Sequence, residues 1–262
     1  MNDELGTRMK EFYEDRFRYK LPRRAYTIMR IDGKAFHTYT RGLERPFDDG
    51  LINDMNVTAA YLCKNIMGAK MAYVQSDEIS ILITDFDTQD TQAWFDYNVQ
   101  KMTSIASSLA TSEFNRLRMI RKFSDNWVDP QEHGETAYDM SISDIINMIP
   151  ANFDARVFQI PSRIEVENYF IWRQQDAVRN SISSVAQSLY SPKELHGIKT
   201  NDMQELIFQK GINWNDYDFR KKRGAVIGKV EVEVGGGTIR NRWEVIETPI
   251  FTQDREFFTK FF

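Results

Sequence analysis

The chain has little cysteine, few glycines and prolines for its length, and no long apolar run. Among 262 residues there is one cysteine, Cys63. An intrachain disulfide is therefore excluded, and a cysteine-based zinc site has no ligand set. Cys63 lies in a helical pattern and reads as a small buried hydrophobe, in keeping with a reducing compartment. The first residues, Met1-Asn2-Asp3-Glu4-Leu5, are acidic and carry no apolar stretch, so they do not read as a secretory signal. No window is long and apolar enough for a membrane span, and the cytoplasm is the expected location. There is no internal repeat or low-complexity tract. No large excess of positive charge exists either: the net charge is −4, which does not suggest a general polyanion binder.

What is present is ordinary globular composition with abundant aromatics, enough chain for a large core. Basic residues cluster locally. Arg16, Arg18, Lys20, Arg23 and Arg24 form one group; Arg116, Arg118, Arg121 and Lys122 a second; Arg220, Lys221, Lys222 and Arg223 a third. Each group suits a solvated face, and three of them beside aromatics also suit a phosphate backbone.

Two stretches end a strand on a carboxylate. Tyr26 to Ile31 is β-branched and aromatic at several positions and runs into Asp32-Gly33. Met71 to Ile83 reads as a hairpin with Ser76-Asp77-Glu78 at its bend. Asp-Gly and Ser-Asp are also common turn residues, so each carboxylate has a plain structural reading. If the two strands are neighbours, Asp32 and Asp77 can share one or two hard cations, the arrangement nucleotidyl transfer needs. After Asp32, Gly33-Lys34-Ala35-Phe36-His37 offers main-chain amides and one point charge to an anion.

The remaining elements are read from periodicity. Helices are expected over about Glu4–Arg18, Asp49–Met67, Thr91–Leu117, Ile164–Leu189 and Asp202–Lys210. In the third, Ser104, Ser107, Ser108 and Ser112 with Ala106 and Ala110 suggest close packing on a sheet. Phe153 to Ile160 reads as a strand, and Val226–Val234 with Thr238–Ile246 as a hairpin. The order β-α-β-β-α-β predicts an α+β fold: a ferredoxin-like sheet, the polymerase palm, with a C-terminal helix and hairpin extension. Residues 1–190 would form the palm-like unit, with 121–150 as a variable insertion or loop. Residues 191–262 would form the extension.

Three further stretches complete a recognisable set. Arg30-Ile31-Asp32-Gly33-Lys34-Ala35-Phe36-His37 and Gln75-Ser76-Asp77-Glu78 are followed by Phe153 to Ser162, Tyr169 to Asp176 and Arg223 to Ile227. In this order the set resembles the tRNA-His guanylyltransferase superfamily, the 3′-to-5′ nucleotide-adding enzymes. The resemblance implies that Asp32, the Gly33 carbonyl and Asp77 hold two Mg²⁺ ions. Gly33, Lys34, Ala35, Phe36, His37 and Ser76 would cradle a triphosphate, with ATP and GTP or other NTPs as substrates. Glu78 would support the catalytic carboxylates. Arg45, Arg179, Asn180 and Lys199 would face the activated 5′ end or the RNA. The partner would be tRNA, gripped at its acceptor stem and 5′ end, and the assembly a homotetramer.

The chain departs from the eukaryotic pattern in one stretch. Where that branch has His-Ile-Asn-Asn, this sequence has Val178-Arg179-Asn180-Ser181, and Met203 stands where a lysine is expected. Strict tRNA-His specificity is therefore not implied. The pattern resembles the bacterial and archaeal guanylyltransferase-like branch, which restores missing 5′ nucleotides on tRNA. Rival readings are a related palm catalyst, either a nucleotide cyclase or an ordinary polymerase or other nucleotidyltransferase, and a catalytically silent nucleotide- or RNA-binding module.

Overall fold

The computed structural model describes residues 4–125, 149–234 and 237–262. Most of the segment expected to be an insertion, 126–148, lies outside the described residues.

Strand alternation divides the protein into two apolar layers. The strands are β1 (Tyr26–Gly33), β2 (Ala69–Gln75), β3 (Glu78–Ile83), β4 (Phe153–Ile160), β5 (Ala225–Val234) and β6 (Thr238–Ile246). They form one sheet in the order β4-β1-β3-β2-β5-β6, every pair antiparallel. The helices are α1 (Glu4–Met9), α2 (Phe36–Tyr39), α3 (Asp49–Asn65), α4 (Val99–Asp125), α5 (Arg163–Leu189), α6 (Thr200–Gln209) and α7 (Phe219–Arg223). The β4-β1-β3-β2 portion, crossed over by α3 and α4, is the ferredoxin-like arrangement expected from the sequence. The hairpin β5–β6 continues the same sheet beyond β2.

Met29, Ile31, Ala72, Val74, Ile79 and Ile81 point to one face. They are buried against Met55, Ala59 and Leu62 of α3 and Met102, Ala106, Ala110 and Phe114 of α4. The intervening Ile28, Met71, Tyr73 and Leu82 point to the other face. There they meet Val166 and Phe170 of α5 and the C-terminal Phe251 and Phe258. Period-two alternation with both faces covered makes these strands almost wholly apolar. Caps fix the helix starts. Asp48 accepts from the Leu51 amide (2.6 Å) at α3, and Ser162 accepts from Glu165 at α5.

Three expectations are corrected. The expected helix over Glu4–Arg18 is broken into α1, a π turn at Lys10–Glu14 and a 3₁₀ turn at Asp15–Phe17, with none of these residues buried. The helix expected from Thr91 begins at Val99, because Phe95, Asp96 and Tyr97 all adopt left-handed backbone (φ 49–55°). On α4 only Ala106 and Ala110 of the small residues are buried, while Ser104, Ser108 and Ser112 are exposed. A four-residue spacing places those three serines along one stripe, opposite the buried one.

Candidate active site

The register brings three acidic positions into one row. Asp32 of β1 lies opposite Glu78 of β3 and Asp154 of β4. Two residues earlier, Arg30 lies opposite Ser80 and Arg156. All of these share the α5 face of the sheet, where Arg173 of α5 reaches Glu78 and Tyr169 meets the Ser80 hydroxyl at 2.8 Å. Asp77 occupies the two-residue turn that joins β2 to β3. The turn is tight because Ser76 has φ 49°, the region usually left to glycine in such hairpins. The Gly33 amide donates to the Asp77 carbonyl at 3.1 Å, so the end of β1 is tied to that turn. Asp32 and Asp77 therefore stand at neighbouring strand ends, as the sequence reading required.

Glu78 is nearly fully buried and does not face solvent. It accepts from Arg173 Nε at 2.8 Å and Nη2 at 2.7 Å, and pairs with Arg30 Nη2 at 2.6 Å. Arg173 also donates to Asp176 (3.0 Å), which in turn takes Arg179 (2.8 Å). Arg30 approaches Asp32 at 3.7 Å and Arg156 does so at 3.5 Å. Burial pushes the Asp77 carboxyl above its ordinary value, and the charges of Asp32 and Glu78 push the same way. The Ser76 hydroxyl and a backbone hydrogen bond oppose them.

These residues fit a divalent cation. A buried carboxylate held above its ordinary value beside a second carboxylate is a group that a cation would relieve. Among the described residues no cluster of three or more His, Cys, Asp or Glu side chains is arranged to hold a metal alone. A small hard cation takes one or two carboxylates and completes its shell with water and phosphate oxygens.

Beside the turn lies a cleft of about 400 Å³. Its walls come from the loop after α2, from Ser76, from α5 and from the stretch ending at Gly224. His37, Arg45, Ser76 and Asn180, all expected site residues, line it together with Ser184 and Lys221. Lys34 and Arg179 are exposed outside that lining, and Lys199 caps the start of α6. Phe36 is a core residue, its ring in tilted contact with Tyr39, Phe114 and Phe153, so only its main chain can meet a ligand. Gly33 exists for Phe36: a Cβ there would meet the Phe36 ring at 2.2 Å. We expect Gly33→Ala to destabilise the protein by about 1–3 kcal/mol, the scale of an overpacked core. Chemical denaturation checks this, and a midpoint equal to wild type would remove the steric account.

The three basic groups are mostly tied down. Lys20 and Arg23 pair with Asp96, Arg118 and Arg121 clamp the buried Asp54, and Lys221 pairs with Asp49 (2.8 Å). Of them, Arg220 and Lys221 reach the cleft. The sequence reading assigned no role to Arg30, Asp154, Arg156, Tyr169, Arg173 or Asp176. A signal was there: Arg30 with Asp32, and Asp154 with Arg156, are i, i+2 pairs on one strand face.

The fold recurs in known proteins. A bacterial tRNA(His) guanylyltransferase (Thg1)-like protein, solved in complex with ATP, is 43% identical over 99% of both chains, with TM-score 0.80. A bacterial Thg1-like protein in complex with GTP, also 43% identical, matches with TM-score 0.78. The tRNA(His) guanylyltransferase of Saccharomyces cerevisiae, 23% identical with TM-score 0.62 over 90% of this chain and 97% of that one, shares the fold. An uncharacterized protein of Acanthamoeba polyphaga mimivirus is 28% identical over 87% of this chain and 78% of its own length. A probable tRNA(His) guanylyltransferase of Drosophila melanogaster is 26% identical over 80% of this chain and 69% of its own. The family model for Thg1, tRNAHis guanylyltransferase, matches residues 6–161. Matched by that model over more than half its length, the chain belongs to the tRNA(His) guanylyltransferase family of nucleotidyltransferases.

Proposed function

We propose that this protein restores missing nucleotides at the 5′ end of tRNA by template-directed 3′-to-5′ addition. In the first step an RNA 5′-phosphate oxygen attacks the α-phosphate of ATP, giving a 5′-adenylylated end and pyrophosphate. In the second the 3′-hydroxyl of an incoming NTP attacks the activated 5′-phosphate and AMP leaves. The observation that carries this reading is the pair Asp32 and Asp77 at adjoining strand ends, next to a cleft lined by Arg45, His37, Asn180 and Lys221. Asp32, Asp77 and the Gly33 carbonyl would hold two Mg²⁺ ions, which supply electrostatic stabilisation of the phosphoryl oxygens. Arg45 and Lys221 set positive charge where a 5′-phosphate or triphosphate would lie, and Asn180, Ser184 and His37 provide hydrogen bonds. Gly33 to His37 and Ser76 would wrap the triphosphate. Arg179 and Lys199, outside the cleft, are left for the RNA beyond its 5′ end.

The test uses a tRNA lacking its first nucleotide and labelled at the 5′-phosphate, with Mg²⁺, ATP and the NTP complementary to the template base. A 5′-adenylylated intermediate followed by one-nucleotide extension is expected. NTP turnover without RNA would favour a cyclase, and nucleotide binding without turnover a silent module. The reading includes a homotetramer in the cytoplasm. Exposed Leu5, Phe12, Tyr13 and Phe17 support self-association, and light scattering tests it.

The raised Asp77 proton affinity gives a signed pH prediction. Folded protein without cation keeps a proton on Asp77 that the unfolded chain has already released. The contribution of this group to stability therefore falls as pH rises from the ordinary carboxylate range through the raised value. A cation favours the ionised form. The gain in Tm on adding Mg²⁺ should grow with pH across that window and level off above it. Thermal melts with and without Mg²⁺ check this, and a gain that ignores pH would count against Asp77 as a ligand.

A further inference from the structure

Three arginines neutralise the acidic row, and they are held differently. Arg173 is almost fully buried, with two nitrogens on Glu78. Arg30 is mostly covered and fixed to Glu78 at 2.6 Å. Arg156 is unlike both. It stands on β4, at the sheet edge, with its side chain 52% exposed. Its Nη2 lies between Asp154 (3.2 Å) and Asp32 (3.5 Å), both long contacts. Exposed pairs of this kind cost little to break. The contact is made to Oδ2 of Asp32, on a carboxylate expected to hold a cation.

We propose that Arg156 is a displaceable counter-ion for Asp32, which leaves when a divalent cation arrives and then binds a phosphate group of the substrate. This rests on the reading of Asp32 and Asp77 as a cation-binding pair. Guanidinium and cation attract the same carboxylate and repel each other, so they cannot share it cheaply. Arg156 is fixed on β4 two residues from Asp154, which lies opposite Asp32, so its side chain stays within reach of the site after the Asp32 contact breaks. The released guanidinium stays exposed on β4 beside Asp32, and a substrate phosphate held by the cation pair would come within its reach. A planar donor fork suits phosphate oxygens. Arg156 is thus a positioning residue that keeps the empty site from accumulating negative charge and supplies a phosphate contact once it is loaded. The phosphate belongs either to the NTP or to the RNA 5′ end.

The experiment measures Mn²⁺ binding directly by electron paramagnetic resonance, on wild type, Arg156→Gln and Arg156→Lys, with Asp77→Asn marking the site and thermal melts confirming folding. Arg156→Gln is expected to bind Mn²⁺ roughly two- to five-fold more tightly without nucleotide, because a competing charge is gone. Arg156→Lys, which keeps that charge, stays at the wild-type value. A side chain needed only for packing would give no tightening. In steady-state assays Arg156→Gln should raise a KM by roughly ten-fold. A rise confined to ATP or NTP assigns the phosphate to the nucleotide. A rise confined to 5′-phosphorylated tRNA, with the inhibition constant of 5′-hydroxyl tRNA as a competitor unchanged, assigns it to the RNA. Unchanged or weaker Mn²⁺ binding in Arg156→Gln overturns the proposal, as do unchanged KM values for both substrates. Wild type that binds no Mn²⁺ at the Asp77-dependent site overturns the cation-site reading itself, a separate result.

Discussion

Replacing Asp77 with alanine is expected to lower the rate of 5′ nucleotide addition by roughly three orders of magnitude or more, and to leave the fold intact. The two halves of that outcome have one cause. Asp77 sits in a two-residue turn between β2 and β3, where burial and the charges of Asp32 and Glu78 oppose its ionised form. Its carboxylate is therefore a cost to the cation-free protein, and removing it should leave Tm unchanged or slightly higher at neutral pH. Backbone geometry at the turn is set by Ser76 and by the Gly33 amide on the Asp77 carbonyl, which alanine keeps. Charge stabilisation at the phosphoryl group would be lost while nucleotide contacts in the cleft remain. Single-turnover adenylylation separates these terms: kcat should collapse and the nucleotide KM change far less. Asp77→Ala activity within ten-fold of wild type would end the assignment.

Legibility from the sequence follows physical range. Strands β1 to β3 were readable because their apolar runs are bounded by turn residues, and α3 because an apolar stripe from Leu51 to Ile66 is followed by Gly68. Asp32 and Asp77 were readable because each ends a strand, although only the resemblance joined them to one function. The start of α4 was not readable. Nothing local announces that Phe95, Asp96 and Tyr97 will adopt left-handed backbone. Tertiary pairing holds them there: Leu21 donates to the Tyr97 carbonyl, Val99 to the Tyr19 carbonyl, and Asp96 is gripped by Lys20 and Arg23. The serine stripe of α4 misled for a different reason. Small residues fit a close-packed face, but they are as common on a solvated one, and only the phase of Met102, Ala106 and Ala110 decides. The fate of Glu78 was out of reach. Its partner Arg173 is 95 residues away, on a helix that follows the whole palm motif.

That pairing carries the second large effect. Arg173→Met should destabilise the protein by about 3 kcal/mol, because it strands a buried carboxylate. The loss stays near the lower end of the range for broken buried pairs because Arg30 remains on Glu78 at 2.6 Å. Arg173 is also the point where α5 is tied to the sheet through a charge. It holds Glu78 on β3 and Asp176 on its own helix, one turn before Asn180 enters the cleft wall. Loosening it should shift the α5 wall of the cleft relative to the Asp77 turn, so activity should fall beyond what the lost stability explains. Pairing the change with Glu78→Gln separates the two effects. Without the carboxylate there is no stranded charge, and the double variant should recover much of the stability lost in Arg173→Met alone. It should not recover activity, since α5 would still lack its charged tie to β3. Denaturant midpoints and adenylylation rates on the four proteins of that cycle test both parts. Additive stability changes would mean that Glu78 finds solvent or another partner when Arg173 is gone.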